Sequence, residues 1–577
     1  MKLSGHLKVP LLAATACSHL ARAALYNGLS ELPKDLEFDF IIAGGGTAGA
    51  VVANRLSEMA TFQVLLVEAG PTDRGILNIQ VPGLQPTLQN SAYDWNYTTL
   101  PQAGYNGRVL PYARGRLLGG SSSINYMFYT RGPASDYDRW ANITGDAGWS
   151  WKSIKQYYLK HENWAKPSSG IDTTGRYDPL AHGKDGPVSV SSPSYPQLTT
   201  DARVIEATKQ LGPDFKFQLD HNDGYHLGIC WNQFTIDSNG KRSSSASSYL
   251  ADKYLRRKNL HVLLNTHVTR VLPSLGAKDT FRTIEVTSAI NGNASSRRTQ
   301  LKAAKEVILS TGTIGTTQIL LNSGIGDGEE LTALDHPLGS VTWRVNSTET
   351  FDALEQWKKD GTGPWVSVGG INHLLWLRAT DNSSLWDKYP DPSSSKAAAH
   401  LEFAITNNAG FSQLKDGNFI SLGMTIPNPM SRGTIRLRSS DPFDSPLIDP
   451  ALLSHPYDAE ILVYAVRQVQ RFLTAPAFSG YVLEHASPFT PATIGNDEEV
   501  LRILRETSAT AWHPVGTAAM TRKGAGWGVV DPDLRVKRVK GLRVVDASIF
   551  PFIPATNTQA PVYAIAERAS DLIKRAW

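Results

Sequence analysis

Cysteine is nearly absent. The 577 residues hold two, Cys17 and Cys230. Two cysteines that far apart, with histidines scattered singly, give no metal-ligand spacing, so no metal site is expected. An excess of one charge is also missing. Lys+Arg is 57 and Asp+Glu is 53, a formal +4, which gives no electrostatic footprint for nucleic acid. There is no G-x-S-x-G elbow, which argues against a serine hydrolase, and no H-R-D or D-F-G, which argues against a kinase. Internal repeats and long low-complexity tracts are lacking too. What remains is 41% hydrophobic and 19% charged, the balance of a globular chain with a sizeable core. Its length predicts more than one domain.

The N-terminus reads as a secretory signal peptide over 1–23. Lys2 and Lys8 precede the apolar run Val9–Cys17, and Ala21-Arg22-Ala23 follows at cleavage distance. That run falls well short of the roughly 20 residues a membrane span needs, so no membrane partner is expected. Cleavage would remove Lys2, Lys8, Arg22 and no acid, leaving +1, and would leave Cys230 without a partner for a disulfide. Five N-x-S/T sequons, at Asn96, Asn142, Asn293, Asn346 and Asn382, fit an extracellular glycoprotein.

The first chemical motif follows an apolar run. Phe38–Ala43 reads as a buried parallel strand, Gly44-Gly45-Gly46-Thr47-Ala48-Gly49 as a tight turn, Ala50–Met59 as a helix and Val64–Val67 as a second strand ending at Glu68. In this setting Gly44 permits the turn, Gly46 lets backbone approach a pyrophosphate, and Gly49 lets helix and strand pack closely. Helix N–H groups would face the phosphate, and Glu68, 22 residues after Gly46, could accept hydrogen bonds from a ribose. These local features do not separate NAD from FAD. Residues 71–160 look loop-dominated, a strong helix is expected near Ala459–Phe472, and an amphipathic helix is expected at about Val562–Arg575.

Three further blocks carry a resemblance: Arg114–Tyr126 with its Gly119-Gly120-Ser121-Ser122-Ser123 core, Gly312–Gly326, and His513–Met520 with Gly528–Pro532 and Val544–Ser548. From about Asp39 to Ile573 the chain resembles the glucose–methanol–choline (GMC) family of flavin oxidoreductases, most nearly the fungal secreted aryl-alcohol oxidases. The resemblance implies an α/β fold with a Rossmann-type FAD-binding domain and a second, sheet-plus-helices substrate domain. The FAD domain would be discontinuous, from 37–100, 241–334 and 505–577. Segments 101–240 and 335–504 would give mainly the substrate domain and the loops covering the flavin. Thr47, Ala48, Glu68 and Ala69 would hold the ADP half, with Val268 meeting the adenine. Gly119, Asn125, Tyr126 and Met127 would run along the isoalloxazine. Asp546, Ala547, Thr558 and Gln559 would close over the pyrophosphate and ring edge. Some members tether flavin through a histidine where this chain has Ile124, so FAD is expected to be non-covalent.

His513, in Trp512-His513-Pro514, is the expected catalytic base, because a neutral imidazole can take a hydroxyl proton as hydride leaves the carbon. Asn557, 44 residues later, would orient the substrate oxygen through its amide. Trp512, with Tyr93 and Phe411, would supply an aromatic substrate wall. His267, His336 and His373 read as structural or surface residues. The expected activity is oxidation of a primary, aromatic or allylic, alcohol to an aldehyde, with O2 or a quinone-like acceptor closing the cycle. The alternatives are a dehydrogenase for a sugar or specialised-metabolite alcohol, and an FAD-bearing hydroxynitrile lyase. One departure from the family pattern stands out. Leu334 runs straight into Asp335-His336-Pro337 where a strand and turn are expected between them. That predicts unpaired strand groups or a widened site.

Overall fold

The computed structural model describes residues 24–577 apart from 197, 291–296, 327–330, 348–353, 411–413, 415–416 and 487. The expected signal peptide, Asn293 and Phe411 therefore lie outside the described residues. Asn96, Asn142, Asn346 and Asn382 are all exposed.

The first sheet is assembled from distant parts of the chain. Its strands are β1 (Ala24–Tyr26), β2 (Phe38–Ala43), β3 (Val64–Val67), β4 (Leu260–Leu263), β5 (Thr266–Ser274), β6 (Ala277–Ser288) and β7 (Thr299–Leu309). They lie in the order β1–β4–β3–β2–β7–β6–β5. The pairs from β1 to β7 are parallel, and Leu542–Val544 adds a further parallel strand to β7. Every residue of β3 and β4 is buried, as a parallel sheet covered on both faces requires. The turn after β2 feeds α1 (Thr47–Leu56). That helix starts three residues earlier than the apolar pattern predicts, because the glycines complete the turn by Gly46.

Residues 71–160 are not all loop. They end in α2 (Ala134–Thr144) and α3 (Trp151–His161). These helices turn Tyr137, Trp140 and Tyr158 into the core, burial that outweighs their polar, aromatic-rich composition. After β7 comes α4 (Gly312–Asn322).

The second sheet is antiparallel. It comprises β8 (Pro337–Val345), β9 (His373–Leu377), β10 (Leu401–Thr406) and β11 (Phe419–Thr425), in the order β8–β11–β10–β9. Val482–His485 flanks β8 and Gly228–Trp231 flanks β9. Alternation along a strand gives the sheet two distinct faces. Val341, Phe403, Ile405, Leu422 and Met424 pack with Ile461, Leu462 and Val466 of α5 (Pro456–Leu473). Leu338, Ser340, Glu402, Ala404, Thr406, Ser421, Gly423 and Thr425 fall on the opposite face and line a large cavity. The last helix, α6 (Gln559–Ala576), packs across α1 and α3, and its first turn reaches the same cavity.

The expected unpaired groups at the Leu334–Asp335 junction are not found. Leu334 N–H donates to Val515 O at 3.1 Å, and Val515 N–H donates to Leu334 O at 2.9 Å. The junction closes as an antiparallel bridge, and it leads two buried polar residues, Asp335 and His336, directly under the His513 turn.

Candidate active site

One cavity joins the glycine turn, the second sheet and the C-terminal loops. At its first end Gly44 has φ +96°, and a Cβ there would stand 2.5 Å from Ser310 O. Gly49 lies one layer behind. A Cβ on it would meet Gly44 O at 1.9 Å, so only glycine lets α1 close on the turn. Gly46, Thr47 and Ala48 line the cavity, and no side chain caps the start of α1. An uncapped helix N-terminus facing a cavity is a ready anion site. Glu68 is held by Gly45 N–H and Gly70 N–H, each at 2.8 Å, and sits on the wall with Ala69, Thr266 and Val268. Burial pushes its carboxyl up to about 7, against the opposing hydrogen bonds from Gly70 and Gly45. His267 is on this wall too, between Trp95 and Phe443 at ring distances of 5.7 and 5.3 Å.

The middle of the cavity is a fastened loop. Asn125 Nδ2 donates to Gln559 Oε1, and Asn125 Oδ1 accepts from Met127 N–H at 3.1 Å and from the buried Arg242 at 2.9 Å. Tyr126, Met127 and Thr558 join Asn125 and Gln559 on the wall, while Gly119 lies behind it against Ala246. Ile124 also lines the cavity and carries no nucleophile. Asp546 and Ala547 line the cavity as well. The Asp546 carboxylate is already engaged, accepting from Gly312 N–H at 3.0 Å, Thr316 Oγ1 at 2.6 Å and Ser548 N–H at 2.9 Å. It therefore fastens its own loop to the start of α4.

The far end holds the candidate catalytic pair. His513 and Asn557 line the same cavity. Trp512 has φ +58°, a left-handed conformation costing a non-glycine residue on the order of 1–3 kcal/mol. Its surroundings hold it there. Trp512 N–H donates to Thr510 Oγ1 at 2.7 Å, and Arg114 donates to Trp512 O. Asp335 fixes the next residue, accepting from His513 N–H at 2.7 Å and from His336 N–H at 2.9 Å, with Tyr112 Oη–H at 2.7 Å on its other oxygen. His513 Nδ1 lies 3.0 Å from His336 Nδ1. Burial first, then His336 and Arg114, hold the His513 imidazole well below its ordinary value, so it rests neutral.

Asn557 is positioned from both sides. Its N–H donates to Thr130 Oγ1 at 2.9 Å, and its Nδ2 donates to Glu402 Oε1 at 2.8 Å. Burial pushes Glu402 up to about 7, and its Oε2 is buried with no partner among the described residues. Trp512 stacks on Tyr126 with ring centroids 6.2 Å apart. Tyr93 does not reach the wall. It packs with Ile79, Leu88, Leu117 and Ile124, because the 81–95 loop turns it inward and presents Trp95 instead. His373 is structural, buried in β9 with Nδ1 3.5 Å from Asp201.

Asp335, His336 and Glu402 are the polar site residues that pattern alone passes over. Two signals point to them. Glu402 is a lone acid in the apolar strand Leu401–Ile405, and Asp335-His336 sits at the one place where the chain departs from the family pattern.

Comparison with known proteins decides the family. Residues 38–342 match the N-terminal GMC oxidoreductase model and residues 429–566 the C-terminal one. The chain belongs to the GMC oxidoreductases. It is an enzyme acting on CH–OH groups, in a family that binds FAD. It is 41% identical over 619 residues to dehydrogenase eriK of Hericium erinaceus, covering 99% of each chain. It is also 41% identical over 592 residues to a pyranose dehydrogenase of Agaricus campestris, covering 97% of each. A solved fungal aryl-alcohol oxidase shares the fold at TM-score 0.77 but only 24% identity, over 94% of this chain and 99% of that one. The aryl-alcohol oxidase likeness is thus distant, and the nearer relatives are dehydrogenases.

The cavity fits FAD. An uncapped helix start lies at one end, the buried Glu68 carboxylate on the wall beside it, and a loop of fixed polar groups leads to a neutral histidine.

Proposed function

We propose that this enzyme dehydrogenates a CH–OH group of a hydroxyl-rich ring substrate of the pyranose class, with His513 as base. The observation that carries the reading is the cavity face of the second sheet. Cross-strand rows on the cavity wall pair Leu338, Thr425 and Glu402, then Ser340, Gly423 and Ala404, then Ser421 and Thr406. These side chains are small or hydroxylated, apart from Leu338 and Glu402. They leave room over the reacting end, and the Ser340 and Thr425 hydroxyls offer hydrogen-bonding groups where an aryl-alcohol site wants apolar ones. The two pyranose- and dehydrogenase-type relatives support the same choice.

His513 Nε2 takes the substrate hydroxyl proton as the C=O bond forms. Asn557 holds the oxygen in place, and Glu402 Oε2 accepts from a neighbouring hydroxyl of the same substrate. FAD, when bound, supplies the two-electron acceptor for the hydride leaving the carbinol carbon. Thr47, Ala48, Glu68, Ala69 and Val268 would hold its ADP half, and Asn125, Tyr126, Met127, Ala547, Thr558 and Gln559 the remainder. Ile124 supports a non-covalent cofactor. Four exposed sequons support passage through the secretory route.

The stacked Tyr126–Trp512 pair favours one second reading, a flat aryl alcohol. Anaerobic mixing with panels of pyranoses and benzylic alcohols separates the two. Pyranoses are expected to bleach the flavin band at least about 10-fold more efficiently, the worth of one satisfied buried hydrogen bond. The reverse order would assign the enzyme to aryl alcohols.

A further inference from the structure

The hydrogen bonds around His513 form a short chain with only one consistent direction. His336 Nε2 lies 3.1 Å from Pro427 O, a carbonyl that can only accept, so Nε2 carries the hydrogen. His336 is fully buried and rests neutral, so its Nδ1 holds a lone pair and no proton. His513 Nδ1, 3.0 Å away, must then be the donor. A neutral imidazole with hydrogen on Nδ1 has its lone pair on Nε2. No described residue hydrogen-bonds that Nε2, and His513 lines the cavity.

We propose that His336 is a positioning residue which sets the reactive tautomer of His513, keeping Nε2 unprotonated and turned to the substrate. The two rings meet edge to face, 88° apart, so His336 fixes the His513 ring plane as well as its tautomer. Asp335 ties the pair together by holding both backbone N–H groups. The arrangement also sets where the abstracted proton goes. Pro427 O cannot take it, so it cannot pass out through His336 and leaves His513 by Nε2, back into the cavity.

The inference rests on His513 being the base, but its test does not depend on turnover. In FAD-loaded protein labelled with 15N-histidine, the resonances lost in His513→Asn identify the His513 ring. They are expected to report hydrogen on Nδ1. In His336→Phe, which has no acceptor, they should move to a mixture of tautomers. His336→Gln can donate to Pro427 O and accept from His513, and it should restore the wild-type pattern. On the best substrate, His336→Phe should lose about 10–100-fold in kcat with KM nearly unchanged, and His336→Gln should recover most of that loss. Hydrogen on Nε2 of wild-type His513 would overturn the proposal without touching the alcohol-oxidation reading, even if the Phe variant fails to fold. So would equal losses in the Phe and Gln variants. Normal tautomers with no turnover on any alcohol would instead sink the reading and leave the positioning role standing.

Discussion

Replacing His513 with alanine is expected to lower turnover of the preferred alcohol by about 10²–10⁴-fold, the usual worth of a positioned general base. Because the lost interaction is made as the proton moves, kcat and kcat/KM should fall together. Bound FAD should be unchanged, since the His513 side chain contacts His336 and the backbone N–H on Asp335 survives the substitution. The pH profile adds a signed check. A base acts when unprotonated, and burial with His336 and Arg114 lowers the His513 value. The wild-type acid limb belonging to His513 should therefore lie below the ordinary histidine value of about 6.5. Glu402, pushed up to about 7 by burial, would place a second break near neutrality. That break should vanish in Glu402→Gln and persist in His336→Gln. Steady-state kinetics with bound-flavin quantification measures all of this. Alanine at 513 with unchanged turnover would remove the base.

The second large effect is on stability. Behind the Thr130 that anchors Asn557 lies a fully buried charge cluster. Arg131 pairs with Glu162, His182 Nδ1 lies 2.6 Å from Glu162, and His182 Nε2 lies 2.7 Å from Asp220. Arg131 N–H also donates to Asn222 Oδ1 at 2.6 Å, tying the cluster to the loop. Glu162→Leu leaves Arg131 and protonated His182 facing one carboxylate, so it is expected to cost about 3–5 kcal/mol.

The sign of the pH dependence follows from the shifts. Burial alone would raise both acids, but Arg131 and His182 hold Glu162 low, and His182 holds Asp220 low. Their contribution is present above the ordinary carboxylate range and lost as pH falls. Burial alone would lower His182, but Glu162 and Asp220 raise it, so its contribution is complete below about 6.5 and is lost as pH rises through the folded value. The gap between wild type and Glu162→Leu should be widest between about pH 4.5 and 6.5. Urea unfolding of the FAD-loaded protein across that range measures it, and a pH-independent gap under about 1 kcal/mol would contradict the account.

The glycine cradle was legible because its logic is local. Strand, turn, helix and strand follow one another within 30 residues, and Gly49 packs on the Gly44 carbonyl only five positions away. His513 and Asn557 were legible through family likeness, and the fold brings both to one wall. The groups that hold them there were not. His336 looked structural because nothing in a sequence says that residue 336 stops 3.0 Å from residue 513. Glu402 stands in no motif, and only the pairing of β10 with β11 and the cavity on that face show what its lone acid adjoins. The same blindness produced the error at Tyr93, where the loop's inward turn depends on packing against Leu117 and Ile124. The junction after Leu334 ran the other way. A shortened segment that promised loose strand ends is sealed by Val515, a partner 181 positions along the chain.

The central claim is that FAD lies between the glycine cradle and His513, with the second sheet roofing the substrate. A crystal structure of the FAD-loaded protein tests it most directly. The account predicts the ribose on Glu68, the ring edge against Asn125–Met127, and His513 Nε2 open toward the ring with Asn557 beside it. A ring bound away from the His513–Asn557 wall, or His513 Nε2 hydrogen-bonded into the protein, would contradict it.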